Sequence, residues 1–191
     1  MRMILAKSAG FCYGVKRAVE LAEQAAAQGE PCVMLGYIIH NSDVVRRLAE
    51  QGVYVVERPE EVPQGSGVII RSHGESRETY RRLEERGARI LDATCPNVTR
   101  IHQIVARAEE QGRQPVIIGT PDHPEVTAIA GWCRHPVVLA GEEDLEHWLS
   151  QDPQRREKPL TFVSQTTSTR KIWDGGVKTA EKECTNPEFF D

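Results

Sequence analysis

Residues 100–119, RIHQIVARAEEQGRQPVIIG, contain the unit from which the fold is predicted: an amphipathic helix, a glycine and a short β-branched strand. The same order recurs three more times, with helices predicted at 16–28, 43–51 and 76–86. A glycine follows each of the four helices, at Gly29, Gly52, Gly87 and Gly112, where a left-handed residue caps a helix. Two further strands are indicated at 68–74 and 160–167. Helices that alternate with short strands predict an α/β fold of repeated similar domains with small, largely parallel sheets.

The composition is that of an ordinary globular protein. The chain has 191 residues, of which 39% are hydrophobic and 27% charged, enough to bury a core in one or two domains. A net charge of −4 gives no electrostatic reason to expect nucleic acid as a partner. No apolar stretch is long enough to span a membrane, and the N-terminus lacks the pattern of a secretory signal. We therefore expect no membrane partner and a cytoplasmic location.

Chemically capable side chains follow the predicted strands. They are His40, His73, Cys95, the pair His123 and Glu125, and Thr166. The carboxyl ends of parallel strands meet at one edge of a sheet, where ligands usually bind. Cys12 joins this set, because residues 4–10 read as a strand and GFCYGVKRAVE as a glycine-flanked turn into a helix. We expect these residues to form a shared site.

Each of these residues also has an ordinary structural interpretation. A single histidine at a strand end is commonly a capping or surface residue, and a single cysteine is commonly a small buried apolar group. Cys32 and Cys133 are predicted to be such structural cysteines. His102 is predicted to be an ordinary residue on a helix face, and His135 and His147 to lie on the surface. The repetition at successive strand ends favours a functional site over coincidence.

The side chains leave three kinds of chemistry open. Imidazoles with Thr166 and strand-end amides suit an anionic group such as phosphate, as in a metal-independent module that binds a phosphorylated metabolite. Cys12 and Cys95 suit a soft metal or an iron–sulfur cluster. The sequence contains no Cys-x-x-Cys motif, which counts against a zinc knuckle. A hydrolase with a cysteine nucleophile and a histidine base is also open. Glu125 would serve as a proton donor if burial raised its pKa.

Six strings resemble one known family, in order and in spacing. They are GFCYGVKRAVE (10–20), IIHN (38–41), RSHG (71–74), DATCPNV (92–98), HPEV (123–126) and SQTT (164–167). They are similar to the 4-hydroxy-3-methylbut-2-enyl diphosphate reductases, the LytB/IspH family of the non-mevalonate isoprenoid pathway. The resemblance runs over essentially the whole chain.

The resemblance implies an activity and a role for each site residue. Cys12 and Cys95 would be thiolate ligands of a [4Fe–4S] cluster held by three cysteines, with its fourth iron open to substrate. His40, His73 and His123 would hold the diphosphate or the hydroxyl region of the substrate, and Glu125 would deliver protons along a path ordered by Thr166. The reaction would be a reductive dehydration of the allylic diphosphate to isopentenyl and dimethylallyl diphosphate. A small electron carrier such as ferredoxin or flavodoxin would dock.

The resemblance also implies a domain plan in which this chain departs from the family. The family has three similar α/β domains; here 13–95 would be the first, 96–191 the second, and 1–12 a strand that packs against a third domain, which is absent. The family's third cysteine would follow shortly after Asp191, and Cys184 is not accepted in its place. We expect a truncated chain that holds a cluster poorly and has little activity. Asp122 stands where the family often has glycine or asparagine.

Overall fold

The computed structural model describes Ile4, Ala6, Lys7 and residues 9–190. In these residues the α-helices are α1 Tyr13–Ala27, α2 Ser42–Glu50, α3 Arg77–Glu85, α4 Pro96–Glu110, α5 Pro124–Ala130, α6 Glu142–Gln151 and α7 Arg170–Glu183. The strands are β1 Cys32–Leu35, β2 Tyr54–Val56, β3 Gly67–Ile70, β4 Arg89–Asp92, β5 Gln114–Ile118, β6 Val137–Leu139, β7 Pro159–Ser164 and β8 Asn186–Phe190. Short 3₁₀ helices span Pro59–Glu61 and Pro153–Glu157. None of the described helices is long and apolar enough to cross a membrane.

The strands form two four-stranded sheets of the same topology. The first has the order β2-β1-β3-β4 and the second the order β6-β5-β7-β8. Every strand pair in both sheets is parallel. Parallel strands need crossover connections, and α-helices supply most of them. The α/β fold with small parallel sheets, predicted from the alternation of helices and strands, is confirmed.

The apolar runs of the sequence form the central strands. All four residues of β3 are buried, as are the last four residues of β5 and the last five of β7. Helices cover these strands with their apolar faces, for example Ala18 and Ala22 of α1 in the first core and Val105 of α4 in the second. A fully buried aliphatic side chain stabilises the fold by about 1.5 to 3 kcal/mol. Burial on both faces explains why these strands read as continuous apolar runs.

The glycines that follow the four predicted helices do adopt the left-handed conformation. Their φ angles are 69° at Gly29, 89° at Gly52, 66° at Gly87 and 71° at Gly112. Side chains other than glycine rarely adopt this conformation, so the sequence marks the helix ends directly.

The contacts divide the chain into two compact units. The first consists of residues 1–72 and 82–95, and the second of residues 73–81 and 96–191. The first sheet lies in the first unit and the second sheet in the second unit. Residues 73–81 follow β3 in the sequence but belong by their contacts to the second unit.

The strand expected over residues 4–10 is not seen in the described part of that stretch. Ile4, Ala6, Lys7, Ala9 and Gly10 lie outside any strand. The Ala9 amide donates a hydrogen bond to the Ala6 carbonyl oxygen over 3.1 Å, which closes a turn. The remaining residues of the expected strand, Leu5 and Ser8, lie outside the described residues.

Candidate functional site

The N-terminus of α5 carries two of the predicted site residues. His123 is the N-cap of the helix, and its Nδ1 accepts a hydrogen bond from the Glu125 amide over 3.1 Å. Pro124 occupies the first helical position, where the missing N–H leaves nothing unsatisfied. Because Nδ1 accepts, a neutral His123 carries its proton on Nε2. The capping role and a binding role are therefore compatible, since Nε2 remains a donor.

Glu125 is a buried carboxylate with defined hydrogen-bond donors. Its exposed fraction is 1%. Oε1 accepts from the Thr166 amide over 2.6 Å, and Oε2 accepts from Thr166 Oγ1 over 2.9 Å. The carboxylate thus binds both donors of one residue at the carboxyl end of β7. Its position in the first turn of α5 also places the negative charge at the positive end of the helix dipole.

Gln165 joins the loops that follow the two central strands of the second sheet. Its Oε1 accepts a hydrogen bond from the Thr120 amide over 3.0 Å, and its Nε2 donates to Thr167 Oγ1 over 2.7 Å. The side chain is buried. These bonds fix the loop that leads to His123 against the loop that contains Thr166. Gln165 was not predicted as a site residue, although the string SQTT contains it.

His73 lies against His123 in the second unit. The two rings meet edge to face, with centroids 5.6 Å apart and an interplanar angle of 86°. Both residues are half-buried. The structure therefore brings together four of the residues predicted from the sequence: His73, His123, Glu125 and Thr166.

A cavity of about 380 Å³ opens beside Thr166. It lies between the start of α4, the end of β7 and the start of α7. Its polar lining includes Asn97, Arg100, Thr166, Ser168, Thr169 and Arg170. Hydroxyl groups, an amide and two guanidinium groups are donors suited to an anionic group.

The two predicted thiolate ligands lie in the first unit, each immediately before a helix. Cys12 is the exposed N-cap of α1, and Cys95 is half-buried immediately before α4. The start of α1 lies close to Cys95, because a β-carbon added at Gly14 would lie 2.7 Å from Cys95 Sγ. The Cys95 amide donates to the Ser72 carbonyl oxygen over 2.9 Å. Glycine at position 14 thus permits a close approach of α1 to the Cys95 sulfur that any other side chain would prevent.

Arg17 forms hydrogen bonds with the segment that ends at Cys95. The sequence analysis did not single out Arg17. Its Nη1 donates to the Thr94 carbonyl oxygen over 3.1 Å, and its Nη2 donates to the Asp92 carbonyl oxygen over 3.2 Å. The sequence contains a signal for this residue, because Cys-x-x-Val-x-Arg occurs at 12–17 and again at 95–100. Each copy begins a fifteen-residue helix.

His40 lies in the first unit, exposed, just before α2. The neighbouring Asn41 is the N-cap of that helix, and its Oδ1 accepts from the Asp43 and Val44 amides, each over 3.1 Å. Asn41 therefore provides the side-chain cap of α2. The described contacts place His40 in a different unit from His73 and His123.

The other three cysteines have the character of structural residues. Cys32 and Cys184 are buried, and burial raises the pKa of both thiols. Burial, with a smaller contribution from the Glu109 carboxylate, raises the pKa of Cys133 to about 12. These thiols are protonated at neutral pH and are poor metal ligands. The prediction that Cys32 is a buried structural thiol is confirmed.

The remaining histidines differ in part from expectation. His135 and His147 are exposed, as predicted. His102 lies on a helix as predicted, but only 1% of it is exposed and its ring stacks on Trp132, with centroids 4.9 Å apart. The partner comes from beyond α5, so periodicity along α4 alone could not indicate it.

The side chains of the described residues can be compared with the ligands that an iron–sulfur cluster needs. Within the described part of the chain, no group of three or more His, Cys, Asp or Glu side chains is placed to hold a metal ion. Cys12 and Cys95 nevertheless have the right chemistry, since thiolates are the usual ligands of such clusters. Gly14 lies so close to Cys95 Sγ that position 14 has no room for a side chain. By the chemistry of their side chains, Cys12 and Cys95 fit as two of the ligands.

The fold and the site define a class of protein: an α/β protein with two parallel sheets of identical strand order, cysteines before two matching helices, and a buried glutamate beside paired histidines. The family model described as LytB protein matches residues 3–191. The chain belongs to the LytB family.

Relatives and solved structures agree with this assignment. The chain is 36% identical over 199 residues to the 4-hydroxy-3-methylbut-2-enyl diphosphate reductase of Caldanaerobacter subterraneus, with 100% of this chain and 66% of the relative covered. It is 41% identical over 167 residues to the enzyme of the same name from Aromatoleum aromaticum, covering 86% of this chain and 52% of the relative. The chain therefore spans about two thirds or less of the length of these relatives.

Two solved structures are similar in fold. The E-1-hydroxy-2-methyl-but-2-enyl-4-diphosphate reductase from Plasmodium falciparum has a TM-score of 0.87 at 26% identity, covering 96% of this chain and 57% of that chain. A structure titled (E)-4-hydroxy-3-methyl-but-2-enyl diphosphate reductase, the terminal enzyme of the non-mevalonate pathway, has a TM-score of 0.84 at 33% identity. It is matched over 98% of this chain and 66% of that chain.

Proposed function

We propose that this chain forms part of an iron–sulfur reductase that converts (E)-4-hydroxy-3-methylbut-2-enyl diphosphate into isopentenyl and dimethylallyl diphosphate. The observation that carries the proposal is the buried Glu125 carboxylate, bound by Thr166 and adjacent on α5 to His123. Membership of the LytB family, whose relatives carry the name of this reductase, supports the choice of substrate. The domain limits at 13–95 and 96–191, and the role of residues 1–12 beside a third domain, stay predictions.

The histidines provide the contacts to the diphosphate. The Nδ1 of His123 is occupied as an acceptor for the Glu125 amide, so Nε2–H is its available donor. His73 packs edge to face on this ring and adds a second imidazole within 5.6 Å. These two side chains hold the phosphate oxygens, and the part of His40, which lies in the other unit, stays a prediction. Binding at the diphosphate then orients the alkenyl chain, which lowers the entropic barrier at the reacting carbon.

Glu125 and Thr166 handle the proton. The reaction breaks the allylic C–O bond, and the hydroxyl leaves as water after it takes up one proton. Two electrons and a second proton complete the alkene product. Thr166 is exposed while Glu125 is buried, so the Thr166 hydroxyl connects the carboxyl group to the surface of the unit. Glu125 delivers protons toward the leaving hydroxyl, and Thr166 orders the path that they follow.

Cys12 and Cys95 are the thiolates that would hold the cluster in this chain. A [4Fe–4S] cluster supplies the two electrons of the reduction when it is bound. Gly14 lets the start of α1 pack against Cys95, and Arg17 fixes the backbone of the segment that leads to Cys95. A small redox carrier such as ferredoxin or flavodoxin delivers the electrons. The low activity expected of the 191 residues on their own stays a prediction.

The experiment is a graft. Residues 1–191 replace the matching part of the Caldanaerobacter subterraneus relative, and turnover is measured anaerobically with a chemical reductant in place of the natural carrier. Glu125→Gln keeps the size of the side chain but removes the carboxyl proton. We expect turnover to fall by about 100-fold or more, the usual contribution of a positioned acid. The control is Glu143→Gln on the exposed face of α6, which should leave turnover unchanged.

One observation favours a second candidate, a metal-independent module that binds a phosphorylated metabolite. Among the described residues, no group of three metal-binding side chains is formed. Such a module would bind inorganic pyrophosphate and contain no iron. A graft that turns over at the same rate with Glu125→Gln contradicts the proposed role of Glu125. A graft that binds pyrophosphate but neither holds iron nor turns over supports the second candidate instead.

A further inference from the structure

The position of His73 depends on residues that the proposed site does not include. His73 begins the segment 73–81, which follows β3 of the first sheet but belongs by its contacts to the second unit. The contacts that hold this segment come from the C-terminal end of α5.

Gly131 permits a close approach between that end of α5 and the segment. The Arg77 amide donates to the Gly131 carbonyl oxygen over 3.3 Å. A β-carbon at position 131 would lie 2.3 Å from Ser76 Cβ and 2.9 Å from Ser76 Cα. The Gly131 backbone, with φ −69°, is open to any residue. Glycine is therefore required here for space and not for conformation.

Trp132 adds a directional hydrogen bond to the same segment. Its Nε1 donates to the Glu75 carbonyl oxygen over 2.9 Å, two residues beyond His73. The indole is held on several sides: the Arg77 guanidinium carbon lies 5.1 Å from the ring centroid, and the Tyr80 ring meets it edge to face at 6.0 Å. The buried His102 ring stacks on it, with an interplanar angle of 15°. An indole fixed in this way holds its N–H in one place.

We propose that Gly131 and Trp132, together the α5 clamp, are positioning residues that hold His73 against His123. One short helix then places three site residues. Its N-terminus carries His123 and Glu125, and the α5 clamp at its C-terminal end fixes the backbone next to His73. The importance of the α5 clamp for substrate binding rests on the proposed function, in which the His73 and His123 imidazoles hold the diphosphate.

The test uses the 191-residue chain and two readouts other than turnover. Trp132→Phe keeps a stacked ring but removes the N–H donor, and Gly131→Ala introduces the clashing β-carbon. Heteronuclear NMR resolves the imidazole resonances of the six histidines, and calorimetry measures the affinity for inorganic pyrophosphate. The matched control is Trp148→Phe in the same unit, whose ring also carries a guanidinium, that of Arg155, 4.8 Å from the centroid.

We expect Trp132→Phe to shift or broaden the resonances of His73 and to weaken its contact to His123, while His135 and His147 stay unchanged. Pyrophosphate affinity should fall about fivefold to tenfold, as for the loss of one hydrogen bond that orders a binding group. Gly131→Ala should also shift the His73 resonances and lower the pyrophosphate affinity. Trp148→Phe should leave the His73 resonances unchanged.

Different results would contradict the α5 clamp and the anion site of the proposed function. His73 resonances that are unchanged in the folded Trp132→Phe protein overturn the α5 clamp, whether or not pyrophosphate binds. Shifted His73 resonances support the clamp even where the unaltered chain shows no pyrophosphate affinity, an outcome that counts against the anion site of the proposed function alone. A Trp148→Phe variant that shifts His73 equally also overturns the clamp, because the effect would then be a general loss of packing.

Discussion

The carboxylate of Glu125 is buried without an ion-pair partner among the interactions described for it, and its surroundings explain how. Burying a charge is costly unless hydrogen bonds and dipoles replace the lost water. Here an amide and a hydroxyl of Thr166 bind the two oxygens, and the N-terminus of α5 adds a favourable dipole. Two hydrogen bonds and the helix dipole thus replace the water that the carboxylate loses on burial.

The loop that leads to His123 contains a strained residue. Asp122 has φ 64°, and it is the one non-glycine residue with positive φ in the described part of the chain. We expect Asp122→Gly to raise the free energy of unfolding by about 0.5 to 1 kcal/mol, because glycine adopts this conformation without a steric penalty. Urea denaturation measures the change.

The control for this prediction is Asp152→Gly. Asp152 has φ −150°, where glycine has no advantage, and its Oδ1 accepts a hydrogen bond from the Gln154 amide over 3.0 Å. That variant should be neutral or slightly less stable. An Asp122→Gly protein less stable than the original would show that the aspartate side chain stabilises this loop.

Single residues also show the limit of reading the sequence. The positions of His123 and Glu125 could be predicted, since both residues flank Pro124 in the segment that follows a clear strand. Gln165 could not, because its role depends on the Thr120 amide, 45 residues away. The burial of His102 against Trp132 is of the same kind: it depends on a contact between α4 and the end of α5.

The helices α1 and α4 begin in the same way, which makes the first turn of α1 testable. Replacing a helical glycine with alanine normally stabilises a protein by about 1 kcal/mol. Gly14→Ala should instead lower the free energy of unfolding, because the new β-carbon would lie 2.7 Å from Cys95 Sγ and 3.2 Å from Cys95 Cβ. Chemical denaturation gives the sign of the change, and labelling of Cys95 with a thiol reagent should become slower.

Gly176 of α7 is the matched control for Gly14. A β-carbon there would lie 3.6 Å from Ile118 Cδ1, an ordinary van der Waals contact. Gly176→Ala should therefore stabilise the chain by about 1 kcal/mol, the opposite sign to Gly14→Ala. Equal stabilisation by both variants would contradict the close approach of α1 to Cys95.

Arg113 links three strands of the second sheet at their amino-terminal ends. Its Nε lies 2.9 Å from Thr161 Oγ1, and its Nη2 donates to the Leu160 and Asn186 carbonyl oxygens over 2.6 Å and 2.9 Å. Only 10% of its side chain is exposed, and its Nε lies 3.0 Å from a Glu188 carboxylate oxygen. Arg113→Met keeps the aliphatic stem but leaves these acceptors unsatisfied. We expect a loss of about 2 to 4 kcal/mol in the free energy of unfolding, measured in urea.

Arg46→Met is the comparison for Arg113. Arg46 pairs with Asp43 over 2.8 Å, but 71% of its side chain is exposed. An exposed pair of this kind contributes about 0 to 1 kcal/mol. Similar small losses for both variants would show that the Arg113 hydrogen bonds do not stabilise the sheet.

The secondary structure was predicted where the sequence pattern is long and regular. The four units of helix, glycine and strand are all present, with glycines in the left-handed conformation. The elements that the sequence did not indicate include α5, β6 and β8. α5 has seven residues and β6 has three, too few to show a period. β8 contains Pro187 and lies at the edge of its sheet, where its pairing depends on β7.

Across the whole chain, the five cysteines separate into two groups. Cys32, Cys133 and Cys184 are buried or half-buried thiols whose pKa values are raised by burial. Cys12 is exposed, and Cys95 lies in close contact with Gly14. Position relative to the predicted strands and helices distinguished Cys32 from Cys12 and Cys95, whereas Cys184 was set aside through the resemblance. The sequence could not give the number of ligands that the folded chain assembles, because that depends on the packing of distant segments.

The most direct test of the account is a thiol footprint of the grafted protein, with iron and sulfide measured in the same sample. The cysteines of residues 1–191 are labelled anaerobically before and after a cluster is assembled. We predict that Cys12 and Cys95 lose their reactivity together as iron and sulfide bind, and regain it together when iron is removed. Cys32, Cys133 and Cys184 should label slowly throughout. Iron bound while Cys12 and Cys95 both stay reactive, or no iron bound at all, would contradict the account.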